Sequence, residues 1–133
     1  MLSRKPVILV IDDNKKFLES LNAIISKFMP DCVVKAYTDP FKAVANAKTV
    51  QPDVLIIDFL IKSYDGIQVI RELRRQGIMA PAIILTGYDG VTISKRVCPQ
   101  NHIHAVLKKA DHPEVLINSL NDALNGLREE ALA

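Results

Sequence analysis

The chain has 133 residues, 49% of them hydrophobic and 24% charged, with a formal net charge of +2 at pH 7. That size and composition exclude a disordered or fibrous chain and leave room for one core, so the expected organisation is a single domain over residues 1–133. The positive residues are scattered, as in Lys15–Lys16, Arg71, Arg74–Arg75 and Lys95–Arg96, with no basic helix interleaved with aromatics, and direct nucleic-acid binding is not expected.

Apolar runs alternate with amphipathic stretches from end to end, the pattern of parallel β/α units. The first run, Val7–Ile11, precedes a helix in which Phe17, Leu18, Leu21, Ile24, Ile25 and Phe28 recur at helical spacing until Pro30-Asp31. A strand over Cys32–Ala36 follows, and Asp39-Pro40 is a good N-cap and first-turn pair for a second helix carrying Phe41, Val44 and Ala47. The run Val54–Ile57 leads through Asp65-Gly66, read as a turn with positive φ at Gly66, into a third helix with Ile67, Ile70 and Leu73 that Gly77 ends. After Ile83–Leu85, a fourth helix is expected between Asp89 and Val97, despite its β-branched residues. Ala105–Leu107 is the fifth strand, and a last helix starting near Pro113-Glu114 buries Leu116, Leu120, Leu124 and Leu127. Cys32 and Cys98 form no CxxC pair and fit reduced thiols of a cytoplasmic protein; the start, Met1 to Pro6 followed only by Val7–Ile11, is neither a signal peptide nor a membrane span. Lys42, Lys48 and the Arg71–Arg75 cluster read as solvated helix faces, and His102 and His104, two apart on a strand, read as surface residues without a third ligand.

Polar residues punctuate the ends of four runs. Asp12 and Asp13 follow the first, Asp58 the third, Thr86 the fourth and Lys108 the fifth, so all of them stand at C-terminal strand ends, where open α/β sheets place their ligands. Three carboxylates at one sheet edge repel each other unless a cation lies among them. Oxygen ligands favour a hard dication that keeps waters and recruits phosphate oxygens, which suits Mg²⁺; zinc would want Cys or His. A carboxylate such as Asp58 is a competent nucleophile toward phosphorus, Thr86 can hydrogen-bond the incoming phosphoryl group, and a lysine can neutralise its charge. Lys108 and Lys109 are adjacent and either can supply that charge; Lys108 is preferred because Val106 and Leu107 then fill the two strand positions before it.

At these positions the chain resembles the receiver domain of two-component response regulators, through VILVIDDN at 7–14, VLIIDFLIKSYDG at 54–66, AIILTG at 82–87 and AVLKKADHPEVL at 105–116. The resemblance implies a flavodoxin-like (βα)5 three-layer sandwich around a five-stranded parallel sheet. It implies that Asp58 is phosphorylated by a sensor histidine kinase or phosphotransfer protein. Asp13 and Asp58 would ligate Mg²⁺ directly, Asp12 would do so through water, and the Leu60 carbonyl would supply a further oxygen. The chain would thus be a signalling phosphoacceptor rather than an enzyme, and a homodimer through the last helices is a further expectation.

Several residues depart from the family pattern. Lys62 stands where many members carry proline, the lysine taken as Lys108 is followed by Lys109 rather than proline, and Ala105 replaces the aromatic expected three residues before it. Tyr88 is the nearest substitute for that aromatic. Leu60 and Tyr88, two positions after Asp58 and Thr86, offer no group to hold a hydrolytic water, so a long-lived aspartyl phosphate is expected. The alternative function is a pseudo-receiver, a protein-binding module that works without phosphorylation. A flavodoxin is disfavoured because acidic residues follow the first strand, where a flavin phosphate would need a glycine- and hydroxyl-rich loop.

Overall fold

A computed structural model describes residues 4–87 and 101–132. The strands β1 (Val7–Ile11), β2 (Val33–Tyr37), β3 (Val54–Ile57), β6 (Ala82–Thr86) and β7 (Ile103–Lys108) form one parallel sheet in the order β2-β1-β3-β6-β7. Strands β3 and β6 are buried along their whole length, as near-continuous apolar runs require when helices cover both faces.

Strand alternation divides the core in two. Ile8, Val10, Val54, Ile56, Ile83 and Leu85 face α1 (Lys15–Phe28) and α4 (Pro113–Leu132), packing on Leu18, Leu21, Ile25, Leu116, Leu120 and Leu124. Their neighbours Leu9, Ile11, Leu55, Ile57 and Ile84 face α2 (Pro40–Val50) and α3 (Gly66–Arg75), meeting Ala43, Ala47, Ile67, Ile70 and Leu73. This is the expected flavodoxin-like three-layer sandwich. Each fully buried Leu or Ile contributes about 1.5–3 kcal/mol, so the two clusters hold the sheet in register.

The helix starts follow sequence chemistry. Asn14, Asp39 and Asp65 each sit at an N-cap, and their side chains accept from the backbone N–H of Phe17, Phe41 and Ile67. Gly77, at φ 85°, ends α3, with its N–H donating to the Arg74 carbonyl.

Three expectations change. Gly66 is not a positive-φ turn residue; it opens α3. A glycine is needed there because a Cβ would overlap the Asp58 backbone carbonyl oxygen. A short hairpin, β4 (Leu60–Ile61) with β5 (Tyr64–Asp65), occupies what the sequence reads as loop, and Lys62 turns it with φ 57°. Proline cannot adopt that φ, which gives the departure at Lys62 a backbone reason. Arg74 is not a solvated residue: its guanidinium donates to the carbonyls of Ile78, Ala80, Asn101 and His102, tying the end of α3 to the starts of β6 and β7. Burial lowers its pKa. The expected helix between Asp89 and Val97, with Cys98, lies outside the described residues.

Candidate functional site

The chain leaves β1 for β2 on one side and returns to β3 on the other, so the direction of strand succession reverses between β1 and β3. A crevice opens at such a reversal beyond the C-terminal strand ends. Asp12 follows β1 and Asp58 follows β3, and the Asp58 N–H donates to the Ile11 carbonyl at 3.1 Å, which holds the two ends side by side. One carboxylate oxygen from each of Asp12, Asp13 and Asp58 lies within 4.8 Å of the others. Thr86 ends β6 and is fully buried; the register pairing Ile57 with Ile84 puts it at the same sheet edge.

Asp12 and Asp58 are buried while Asp13 is exposed. The Asp12 Oδ1 accepts from the Asn14 N–H at 2.9 Å, and the Asp13 Oδ2 accepts from the Lys62 N–H at 2.9 Å. Capping of α1 therefore falls to Asn14, which leaves the two aspartates to the crevice. Burial raises the Asp12 pKa; bonds from Lys109 and the Asn14 N–H oppose this, and the Asp58 charge adds to it.

The lysine at these carboxylates is Lys109, and the preference for Lys108 is corrected. The Lys109 ammonium lies 2.6 Å from Asp12 Oδ2 and 3.1 Å from Asp58 Oδ2. Lys108 is exposed, and among the described residues nothing joins its ammonium to the carboxylates. The reason is backbone register: Lys108 is the last strand residue and pairs with Thr86, whereas the Lys109 N–H still donates to the Thr86 carbonyl at 2.8 Å, so the chain bends only after it. Burial alone would lower the Lys109 pKa, but its bonds to Asp12 and Asp58 and their charges outweigh that and raise it. With Lys109 as reference, the residue three positions earlier is Val106 rather than Ala105, still without an aromatic ring, and Ala110 follows in place of proline. No peptide bond among the described residues is cis.

A hard cation fits this donor set on one specific observation. Asp58 Oδ1 is buried and has no hydrogen-bond partner among the described residues, whereas Oδ2 binds Lys109. An unsatisfied buried carboxylate oxygen costs free energy that a metal or an incoming electrophile recovers. Leu60 lies two residues further on in β4 and is 38% exposed; Tyr88 lies outside the described residues. His102 has φ 53° and precedes β7, His104 is exposed within it, and neither belongs to a metal-competent cluster among the described residues.

A flavodoxin-like sheet with an acidic crevice at its switch point is thus the class of fold and site. The family model of the response regulator receiver domain matches residues 8–121. The chain belongs to that family and is a receiver domain of two-component response regulators, whose phosphoacceptor site Asp12, Asp13 and Asp58 fit. It is 32% identical over 82 residues to the alkaline phosphatase synthesis transcriptional regulatory protein PhoP of Bacillus subtilis, covering 62% of this chain and 33% of that protein. It is 33% identical over 85 residues to the response regulator MprA of Mycobacterium ulcerans, covering 64% and 36%. The match thus spans about a third of the length of these curated relatives. Among solved structures, the receiver domain of an HD domain-containing protein from Pseudomonas fluorescens superposes with TM-score 0.85 at 21% identity, covering 98% of this chain and 95% of that one. A CheY-like receiver from Methanospirillum hungatei gives 0.82 at 18%, covering 94% and 98%. At these identities the likeness is one of fold.

Proposed function

We propose that this chain is the phosphoacceptor of a two-component pathway, taking a phosphoryl group onto Asp58 and using Mg²⁺ to do so. The observation that carries the reading is the Asp58 carboxylate, which is buried and held through one oxygen by Lys109, with its other oxygen unpartnered among the described residues. Asp12, Asp13 and Asp58, with the Leu60 carbonyl, would hold Mg²⁺. Bound there, the ion supplies compensation for the crowded carboxylates and for the charge on the phosphoryl oxygens.

The chain's own residues do the rest. An Asp58 oxygen attacks phosphorus, an O–P bond forms, and the bond to the donor's leaving group breaks, that group departing with the electron pair. Lys109, poised between Asp12 and Asp58, neutralises charge on the transferred group, taking the role first expected of Lys108. The Thr86 hydroxyl hydrogen-bonds the same group. A sensor histidine kinase or phosphotransfer protein is the donor, and the whole of residues 1–133 acts as one receiver. A cytoplasmic location and a homodimer through the last helices belong to the same reading; among the described residues no helix is long and apolar enough to cross a membrane.

The test is incubation with acetyl phosphate and Mg²⁺, followed by intact-mass analysis. One phosphoryl group should add to the parent and none to Asp58→Asn, and chelation of Mg²⁺ should abolish the addition. A parent that stays unlabelled sinks the proposal in favour of a phosphorylation-independent binding module.

A further inference from the structure

The Lys109 ammonium has a third neighbour besides the two carboxylates. Its Nζ lies 4.3 Å from the centroid of the Phe17 ring, within the range at which a cation is attracted to the negative face of an aromatic π-system. Phe17 is in the first turn of α1, and its N–H donates to the Asn14 Oδ1 at 3.0 Å. The N-cap that lets the chain leave Asp12 and Asp13 for α1 therefore also sets the height of the ring above the crevice. The ring is partly buried against the α1–α4 side of the core, so it is braced from behind.

An ammonium has three N–H donors on a flexible four-carbon stem, and that flexibility is what a phosphoryl-transfer site must suppress. Asp12 and Asp58 engage Nζ from the carboxylate side, but both are expected to share their oxygens with a cation and, at Asp58, with phosphorus. The Phe17 face is the contact that neither event consumes. Lys109 is about a quarter exposed, with 23% of its side-chain surface accessible, so the attraction is only partly screened by water.

We infer that Phe17 is a positioning residue for Lys109, its ring face holding the ammonium where the phosphoryl group arrives when the carboxylates turn to other partners. The inference rests on the phosphoacceptor reading of Asp58. It is more specific than core packing, because packing asks only for apolar volume and this role asks for a π-face. Phe17→Leu stays apolar, with part of the volume, and removes the face, whereas Phe17→Tyr keeps the ring and its face.

The experiment compares parent, Phe17→Leu and Phe17→Tyr in two measurements. In the first, NMR of the Lys109 side chain should show its Hε protons shifted upfield by the ring in the parent and in Phe17→Tyr, and at ordinary positions in Phe17→Leu. In the second, the rate of acetyl phosphate labelling at saturating Mg²⁺ should fall about 3- to 10-fold in Phe17→Leu, the range expected from a partly screened cation–π contact, and recover in Phe17→Tyr. Equal labelling rates in parent and Phe17→Leu would overturn the inference and leave the phosphoacceptor reading intact. So would loss of rate in both variants alike, which marks a merely structural ring. An unlabelled parent overturns both, and the upfield shift then records only a contact without a function.

Discussion

Strand β3 carries a buried carboxylate beyond each end, and the two are treated in opposite ways. Asp53, just before the strand, is 6% exposed, and both of its oxygens are taken: the Arg4 guanidinium donates to Oδ2 at 2.7 Å and to Oδ1 at 2.8 Å, and the Val7 N–H donates to Oδ2 at 2.7 Å. Asp58, just after the strand, is 8% exposed and leaves Oδ1 without a partner among the described residues. The Arg4 pKa is raised by its bond to Asp53 and by the Asp53 charge, as a satisfied pair should show. Burial therefore does not separate a structural carboxylate from a reactive one. Satisfaction does: the lower end of β3 closes its hydrogen bonds and the upper end keeps one open.

The most severe way to break this comparison is to truncate both. Asp53→Ala leaves the Val7 N–H without its acceptor and returns the half-exposed Arg4 guanidinium to water, and should cost about 2 kcal/mol of unfolding free energy while the folded fraction still labels at Asp58. Asp58→Ala should abolish labelling and leave stability at or above that of the parent, because it removes one of three crowded like charges. Urea unfolding beside intact-mass labelling reads both; a large stability loss on truncating Asp58 would show that the two ends are not different in kind.

A smaller effect is expected at Gly66, where an added Cβ would overlap the Asp58 carbonyl. Gly66→Ala forces the backbone of β3's end and α3's start apart, costing about 1–3 kcal/mol as an overpacked contact does, and should slow labelling more than an equally destabilising change at Asp53. Equal labelling at equal stability would detach Gly66 from the placement of Asp58.

The smallest effect concerns Asp12, and its sign follows from its raised pKa. A carboxyl whose folded pKa exceeds its unfolded one contributes stability below the ordinary carboxylate range, and that contribution is lost as pH rises through the folded value. In chelator at pH 7, Asp12→Asn should therefore melt a few degrees above the parent, and the gap should close toward about pH 3, where both side chains are neutral. Added Mg²⁺ should raise the parent's melting temperature more than the variant's. A variant less stable than the parent at pH 7 in chelator would mean that the Lys109 ion pair outweighs the burial of Asp12.

Much of this was legible in the residues themselves. Val7–Ile11 and Val54–Ile57 are apolar throughout because helices cover both faces of their sheet, and Asp39-Pro40 starts a helix because an Asx cap and a proline at the first turn suit no other local structure so well. The aspartates at strand ends could be read because a run ends where a charge must reach water or a ligand. Arg4 with Asp53 left no such trace: the partners are 49 residues apart, and neither position differs in type from an ordinary surface charge. Arg74 was misread for a similar reason, since two of the carbonyls that occupy its half-buried guanidinium, those of Asn101 and His102, come from a distant part of the chain.

The sequence by itself determined the alternation of strands and helices, the parallel sheet this demands, and the acidic edge at its C-terminal ends, because each of these depends on periodicity and residue type within a short window. Only the tertiary structure decided which of two adjacent lysines lies at the carboxylates, that Gly66 is required by its approach to Asp58 rather than by its φ, and that a phenylalanine ring lies against that ammonium. Lys108 and Lys109 are chemically identical. What distinguishes them is one residue of strand register against Thr86, and register is set by the packing of the whole sheet.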